Sequence, residues 1–273
     1  MRRSLLPLIA VIFASSAFFG RVSAADIPAP VYKATPAAVV AYSWSGFYGG
    51  IHGGYGWGSD HVDIGMNDPT GVTQLVAAAG GFPLSYSVNR DGYVAGAQIG
   101  FNYQLGRQWL VGIEADISAT GIKGTANDTR GPCPICALPN TSTVTQDMDW
   151  FGTVRGRFGY TAGQWLIYGT GGLAYGHVKY NYLQTNVPFG GALVIAANGT
   201  DTQTGWTAGG GVEYGMGPWS FKAEYLYYDL GDRSFVAPNP LAPPVFGVAL
   251  LPTFHNTGSI VRAGVNYRLV PVQ

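Results

Sequence analysis

The sequence predicts an all-β protein, an eight-stranded antiparallel transmembrane β-barrel with short periplasmic turns and long extracellular loops. Two observations lead to this prediction. A phrase made of Tyr, a glycine-containing turn and Trp occurs three times, at residues 103–109, 160–165 and 214–219, and recurrence at a regular interval marks a repeated structural unit. On both sides of each phrase the side chains alternate with period two and one face is apolar, which is typical of β-strands.

The predicted strands follow one another in pairs that are joined by tight turns. The turns lie at residues 104–108, 161–164 and 215–218, after the second, fourth and sixth strands. The connections after the first, third, fifth and seventh strands are predicted to be loops of roughly 20–30 residues. Short turns on one side and long loops on the other are typical of an outer-membrane barrel, with the turns in the periplasm and the loops outside the cell.

An aromatic side chain lies at each strand end next to a tight turn. The first strand begins with an aromatic residue, and the last strand ends with one. Because amphipathic rings prefer the boundary between lipid headgroups and hydrocarbon, we expect these residues to form a periplasmic aromatic girdle. They are Phe47, Tyr103, Trp109, Tyr160, Trp165, Tyr214, Trp219 and Tyr267. The alternative, a soluble barrel or sandwich, would bury this aromatic face and expose the opposite one.

Charged residues within the membrane-length segments all lie on the face opposite the aromatic residues. A lipid-facing Arg or Lys at the bilayer midplane costs about 2–4 kcal/mol, so these side chains are expected to point into the barrel. Buried charges need partners, and an equal number of acids and bases predicts an interior ion-pair network. Its members are Glu114, Asp116, Arg155, Arg157, Glu213, Lys222, Glu224 and Arg262.

The sequence also predicts the nature of the segments before and after the barrel. Residues 1–24 are predicted to be a signal peptide, because Arg2 and Arg3 precede an apolar segment that ends in small residues before Ala25. Residues 25–43 are rich in Pro and Ala and are predicted to form an extended periplasmic tail. The barrel is expected over residues 44–269, and residues 270–273 form a short carboxyl-terminal tail.

Seven segments resemble, in order along the chain, sequence blocks of one family. They are residues 44–57, 100–104, 112–116, 150–160, 168–176, 205–214 and 222–231. The family is the small outer-membrane β-barrel (porin-family) proteins of rhizobia, Brucella and their relatives, similar in architecture to the OmpA-type membrane barrel. The resemblance implies a surface-exposed barrel in the cell outer membrane of a Gram-negative bacterium, associated with membrane integrity and with contact to a host or the environment.

The partners follow from this resemblance and from the charge. The last strand, with Arg262, Gly264, Tyr267 and Leu269, resembles the signal that the barrel-assembly machinery reads. We therefore expect outer-membrane lipid, that machinery during insertion, and a host or environmental surface molecule at the loops as partners. The formal net charge is zero, which gives no basis for nucleic-acid binding.

No catalytic residue, cofactor or metal site is predicted, so the protein is not expected to be an enzyme. Cys133 and Cys136 are the only cysteines, and a loop disulfide is favoured because a redox CxxC pair needs a βαβ context. The four histidines are scattered, and no nucleophile motif such as GxSxG accompanies them.

Two functions stay open at this point. Eight strands leave an interior just wide enough for side chains, and the ion-pair network with Tyr48, Leu226 and Tyr228 would fill it, which favours a structural, envelope-integrity and surface-interaction role. The alternative is a narrow porin-like channel for ions or small solutes. Inward-facing glycines such as Gly50 and Gly54 favour the channel, because they would leave space inside.

Three of the outer connections contain unusually apolar segments, at residues 75–84, 192–197 and 237–254. They are predicted to pack on each other or to extend the strands above the membrane. A surface patch for a partner or a hydrophobic ligand is the second interpretation.

Overall fold

The structure, a computed structural model, describes residues 42–132, 139–185, 194–238 and 249–271. The strands form one antiparallel sheet that closes on itself, because the first strand pairs with the last. In chain order they are β1 (Gly46–Asn67), β2 (Ser85–Leu105), β3 (Trp109–Arg130), β4 (Asn140–Ala162), β5 (Trp165–Thr185), β6 (Val194–Met216), β7 (Trp219–Ser234), β8 (Ala237–Pro238) and β9 (Ala249–Pro271). β8 is a two-residue strand against β9, and the eight long strands confirm the predicted antiparallel barrel.

Helical structure is a minor part of the described residues. The helix α1 (Val72–Ala78) lies in the connection between β1 and β2. Among the residues described, no helix is both long enough and apolar enough to cross a membrane. The predicted signal peptide, residues 25–41 of the predicted tail, and Cys133 and Cys136 lie outside the described residues.

Three tight turns join β2 to β3, β4 to β5 and β6 to β7, as the sequence predicts. Each contains a glycine with positive φ, namely Gly106 at 65°, Gly163 at 62° and Gly217 at 60°. Glycine adopts this left-handed conformation without the steric cost that a Cβ would add. The recurring glycine in the repeated phrase therefore serves the turn, and the Tyr and Trp on either side belong to the strands.

The connections at the opposite end of the barrel are longer than the tight turns, as in residues 68–84 between β1 and β2, but the strands themselves continue into part of the segments that the sequence analysis assigned to loops. β4 begins as early as Asn140 and β5 ends as late as Thr185. In this part the period of two persists with reversed polarity, since Thr143 is half-exposed on the outer face and Val144 is fully buried. An outward face rich in Thr is not recognisable as a membrane strand, although it suits a strand in water.

The apolar connection segments divide between these elements. Residues 194–197 begin β6, and residues 237–238 and 249–254 belong to β8 and β9, which agrees with their interpretation as strand extensions. The segment 75–84 instead contains the end of α1 and Phe82, which is buried.

A β-bulge on β4 explains why strict alternation fails along this strand. The register with β5 shifts between Met148 and Trp150. Met148 and Phe151 both face inward and are buried, although three positions separate them. A bulge inserts one extra residue and changes the direction of the side chains beyond it, so the inward positions change from even to odd numbers at this point.

The closing seam between β1 and β9 contains a second irregularity. Its regular pairing is interrupted between the pairs Trp57–Ser259 and Val62–Phe254. There the buried carboxylate of Asp60 accepts the backbone N–H of Thr257 at 3.1 Å. A side chain thus replaces a ladder hydrogen bond and keeps a buried backbone donor satisfied.

Candidate functional site in the barrel interior and its aromatic belts

The structure brings together all eight charged residues that the sequence places in the interior. They come from β3, β4, β6, β7 and β9, and each is at most 4 % exposed. With four acids and four bases the cluster carries no formal net charge. A buried cluster of this size can be accommodated only if every charge has a partner.

Glu114 is the centre of the network. Its carboxylate accepts hydrogen bonds from Arg155 Nη2 at 2.6 Å and from Lys222 Nζ at 2.9 Å. Arg157 Nη1 lies 3.4 Å from the same carboxylate, and the hydroxyl of Tyr48 donates to it at 2.7 Å. One acid therefore connects β1, β3, β4 and β7 across the lumen.

Arg155 links this centre to a second group of charges. Its Nη2 lies 3.0 Å from Asp116 Oδ2, and its Nη1 donates to Glu224 Oε1 at 3.0 Å. Arg262 contacts the same two acids, with 2.9 Å from Nη2 to Asp116 and 2.7 Å from Nε to Glu224. The guanidinium groups of Arg155 and Arg262 each contact at least two carboxylates, so ion pairs connect strands on different sides of the lumen.

Tyr168 is an interior residue that the sequence analysis missed. Its hydroxyl donates to Glu224 Oε1 at 2.9 Å, and the guanidinium carbon of Arg157 lies 3.9 Å from the centre of its ring. Arg157 also donates to Glu213 at 2.8 Å. The available signal was parity, since Tyr168 lies on the face of β5 opposite Trp165.

The interior beyond the charged network, toward the extracellular end, is mainly apolar, although it also contains the buried Arg90–Asp60 ion pair and the buried amides of Gln146 and Asn256. Its apolar side chains form one buried cluster with contributions from the strands, from α1 through Val76 and from the connection through Phe82. Prominent members are Val62, Tyr86, Val88, Ile122, Val144, Met148, Phe151, Val178, Tyr180, Tyr182, Leu226, Tyr228 and Phe254. This part of the lumen is therefore also filled, with the contents of an ordinary protein core.

Residues immediately before β1 close the periplasmic end. Trp44 is 3 % exposed and packs in a cluster with Leu110, Leu166 and Tyr168. Its backbone N–H donates to Gln104 Oε1 at 3.1 Å, and its indole nitrogen donates to the carbonyl of Gly163 at 3.4 Å. The sequence analysis placed Trp44 at the start of the barrel and did not predict that it closes the periplasmic end.

Tyr42 extends the closure to the other side of the opening. Its hydroxyl donates to the carbonyl of Trp219 at 3.4 Å. Arg268, near the end of β9, lies 4.2 Å from the centre of the Tyr42 ring and donates to the carbonyl of Ser43. Tyr42, Ser43 and Trp44, which we call the periplasmic cap, thus span the opening between three turns and the last strand.

The predicted girdle residues point outward at the turn end of the barrel, and seven of the eight are 39–54 % exposed, with Tyr214 half-buried. Each Trp that follows a turn meets the Tyr of the neighbouring hairpin. Trp165 and Tyr214 are register partners with ring centroids 4.9 Å apart, and Trp219 and Tyr267 are also 4.9 Å apart. The repeated phrase therefore produces cross-strand aromatic pairs, which stabilise neighbouring strands.

A second outward aromatic belt lies farther along the strands and was not predicted. Ten positions separate Tyr93 from Tyr103, and eight separate Trp206 from Tyr214, which fits the ~9–11 residues of a tilted membrane strand. The members of this outer belt are Tyr55, Trp57, Tyr93, Trp150, Tyr175, Trp206, Tyr225 and Tyr227. The signal for it was available, because on most strands the same outward parity continues from the first girdle.

The inward glycines do not widen the lumen. A Cβ at Gly50 would collide with the side chain of Asn266, and a Cβ at Gly54 would collide with the backbone of Val261 and Arg262. At these positions glycine permits close approach between strands. The expectation that they leave space for a channel is therefore wrong.

The histidines occupy separate surroundings. His52 is buried, with Nε2 2.7 Å from Ser118 Oγ, whereas His255 lies at the extracellular end, 2.6 Å from Asp232 and 3.4 Å from Asp63. Across the described ranges, no group of three or more His, Cys, Asp or Glu side chains could hold a metal ion.

Comparison with known sequences gives a consistent result. Residues 22–268 match the sequence model of a family described as "Outer membrane protein beta-barrel domain". The 31 kDa outer-membrane immunogenic protein of Brucella melitensis is 35% identical over 238 residues, covering 86% of this chain and 90% of the relative. The 22 kDa outer membrane protein of Rhizobium leguminosarum bv. viciae is 28% identical over 198 residues, covering 71% and 68%.

Among solved structures, the outer membrane protein OprG from Pseudomonas aeruginosa is similar to this chain. It has 13% sequence identity and a TM-score of 0.39, and the match covers 82% of this chain and 97% of that one.

Proposed function

Because the chain belongs to the outer membrane protein beta-barrel family and lies in the outer membrane of a Gram-negative bacterium, we propose that it is a closed structural barrel. In this proposal it supports envelope integrity and presents its extracellular end to the surroundings. The observation that carries the proposal is the filled lumen, in which Glu114 is bonded from three other strands at the level of the membrane. Above this network the lumen is filled mainly with apolar side chains, and below it the periplasmic cap closes the opening.

The extracellular end supports the surface-interaction part of the proposal. The strands continue well beyond the outer belt with polar outward faces, as at Thr143 on β4, and this portion stands in water outside the lipid. The Brucella melitensis relative is named an immunogenic protein, which is consistent with parts that are reachable from outside the cell. We propose outer-membrane lipid, the barrel-assembly machinery and a host or environmental surface molecule as the partners, and no enzymatic activity.

The alternative function is a narrow channel for ions or small solutes. It would require the network of Arg155 and its acids to open, because this layer crosses the lumen. The sequence analysis took the inward glycines as a sign of a channel, but neighbouring strands fill the space next to Gly50 and Gly54. We therefore rank the channel second.

Single-channel conductance separates the two functions. The mature protein would be refolded into planar lipid bilayers, with insertion verified by heat-modifiable gel mobility of the same sample in vesicles. We expect the parent protein to give no discrete conductance steps. Reproducible steps in the parent whose size changes in Arg155→Ala would assign the channel instead.

A deletion strain tests the envelope role. We expect loss of the gene to increase sensitivity to detergents and to large antibiotics, and the parent gene to restore resistance. A deletion strain with unchanged sensitivity and unchanged surface binding would contradict the structural role.

A further inference from the structure

The outer face of the barrel carries a regular patch of polar side chains above the outer belt. Across β4, β5 and β6, cross-strand register aligns two rows of three residues, which we call the polar grid. One row is Thr145, Asn181 and Asn198, and the other is Asp147, Lys179 and Thr200. With strands ~4.8 Å apart and alternate residues ~6.6 Å apart, the grid measures roughly 10 by 7 Å.

The grid forms a shallow depression that is largely open to solvent. The six side chains line a depression of about 550 Å³ on the outside of the barrel. Asn181, Asn198 and Thr200 are exposed, so their amide and hydroxyl groups are accessible. Each amide offers two donors and an acceptor, and each hydroxyl offers both roles, which matches a ligand rich in hydroxyl groups.

An aromatic row borders the depression on the side of the membrane. The rings of Trp150 and His177 are stacked at 4° with their centroids 6.0 Å apart, and the Tyr175 ring lies 5.9 Å from Trp150. His177 Nδ1 lies 3.2 Å from Thr202 Oγ1, which continues this row onto β6. Aromatic faces carry partial negative charge that attracts polarised C–H groups, such as those on one side of a pyranose ring.

The charges near the grid compensate one another. Lys179 Nζ lies 2.8 Å from Asp149 Oδ2, and Asp147 lies between Lys123 and Lys179 in the register. A phosphate would meet both aspartates as well as the lysines, so the depression offers little net attraction to an anion. Its chemistry favours a neutral, hydroxylated ligand.

The distance of the grid from the aromatic belt indicates which hydroxylated ligand lies next to it in the membrane. Asp147 lies three positions beyond Trp150, and Lys179 lies four positions beyond Tyr175. At ~3.3 Å per residue and a tilt of ~45°, the grid stands roughly 10 Å outside the aromatic belt. The belt marks the headgroup level, and sugars that are attached to outer-leaflet lipid occupy the layer directly outside it.

We propose that the polar grid is a binding site for the saccharide portion of outer-leaflet lipopolysaccharide, which holds the barrel to the surrounding lipid layer through sugar hydroxyl groups. This inference goes beyond the structural role and does not depend on whether the barrel conducts.

The test uses the full mature protein refolded into detergent micelles and three probes: rough-type lipopolysaccharide, the core oligosaccharide released from it by mild acid, and the remaining lipid A. The grid variant is Asn181→Ala with Thr200→Ala. The matched control is Asn127→Ala with Thr129→Ala, which removes exposed polar groups from β3 outside the grid. Heat-modifiable mobility verifies that both variants fold.

We expect the released oligosaccharide to bind the parent and the β3 control equally, and the grid variant about tenfold more weakly, as the loss of two hydrogen bonds implies. Binding should persist as salt is raised, because neutral contacts are not screened. Equal binding by parent and grid variant, or binding of the parent to lipid A without binding to the oligosaccharide, would overturn the proposal.

Discussion

Along β4 the interior of the barrel changes from charged side chains to mainly apolar ones. Arg155 and Arg157 lie in the membrane-level part, whereas Val144 and Met148 lie in the extracellular part. The outward face changes in the opposite sense, from Phe158 beside lipid to half-exposed Thr residues in water. The two regions share one sheet and have opposite patterns of polarity.

The difference follows from the solvent outside each region. Next to water, burying apolar side chains is favourable by about 1.5–3 kcal/mol each, so an apolar interior stabilises the extracellular part. Next to hydrocarbon, an apolar interior gains no comparable hydrophobic driving force, because lipid tails are as apolar as the side chains. Hydrogen bonds and ion pairs then provide the specific interior contacts.

The strongest test of the difference between the two regions is a substitution that removes a charge from the interior without changing the shape of the side chain. Glu114→Gln keeps the volume and leaves Arg155, Arg157 and Lys222 short of one negative charge. We expect the free energy of unfolding to fall by about 3–5 kcal/mol, measured by urea titration of tryptophan fluorescence in vesicles.

Two controls sharpen this prediction. Met148→Leu in the apolar region preserves chemistry and volume and should cost less than about 1.5 kcal/mol. Glu114→Gln combined with Lys222→Met restores the charge balance and should recover part of the loss. If Glu114→Gln and Met148→Leu cost the same, the two regions do not differ as described.

The outward faces allow the same comparison on a single strand. Ile113 and Thr125 both point outward from β3, and Ile113 is 55 % exposed in the membrane-level part. We expect Ile113→Arg to destabilise the inserted barrel by about 2–4 kcal/mol, measured by folding yield and urea titration. Thr125→Arg, in the extracellular part, should change stability by no more than about 0.5 kcal/mol. Equal penalties would place the membrane boundary elsewhere.

The smallest effect is expected at the extracellular end, where pH acts on one histidine. Burial lowers the pKa of His255, but the hydrogen bonds to Asp232 and Asp63 outweigh burial and raise it above the ordinary value. The stabilising contribution is therefore complete below the unfolded-state pKa of about 6.5 and is lost as the pH rises through the raised folded-state pKa.

Because these groups are partly exposed, the contribution should stay below about 1 kcal/mol. NMR titration of the His255 ring should give a pKa above that of an unfolded peptide, and Asp232→Asn should lower it. An unchanged pKa in Asp232→Asn would show that the contact does not hold the proton.

The sequence predicted the features that depend on neighbours along one strand. Parity alone assigned Glu114 and Arg262 to the interior, and the Tyr and Trp of the repeated phrase to the lower girdle face. These assignments need only the period of two and the strong cost of charge in lipid.

The sequence analysis did not predict the features that depend on contacts between distant parts of the chain or on a change of the surrounding solvent. The extracellular strand extensions reverse their polarity and cross a bulge at Asp149, so no single alternation rule covers β4. Trp44 closes the periplasmic end through Gln104 and Gly163, which are 60 and 119 positions away. Nothing local in the sequence distinguishes this tryptophan from the first residue of a strand.

The contact between Arg268 and Ser43 also sets an order of events during assembly. It joins two parts of the chain that are 225 positions apart, and contacts of such long range form late because the entropy of the intervening chain must be lost first. The contacts of Tyr42 and Ser43 with Arg268 can therefore form only after the last strand has arrived, whereas those of Trp44 with Gln104 and Gly163 need only earlier parts of the chain. A chain that stops before residue 268 lacks this guanidinium, so the side of the periplasmic cap formed by Tyr42 and Ser43 is complete only once the last strand is in place.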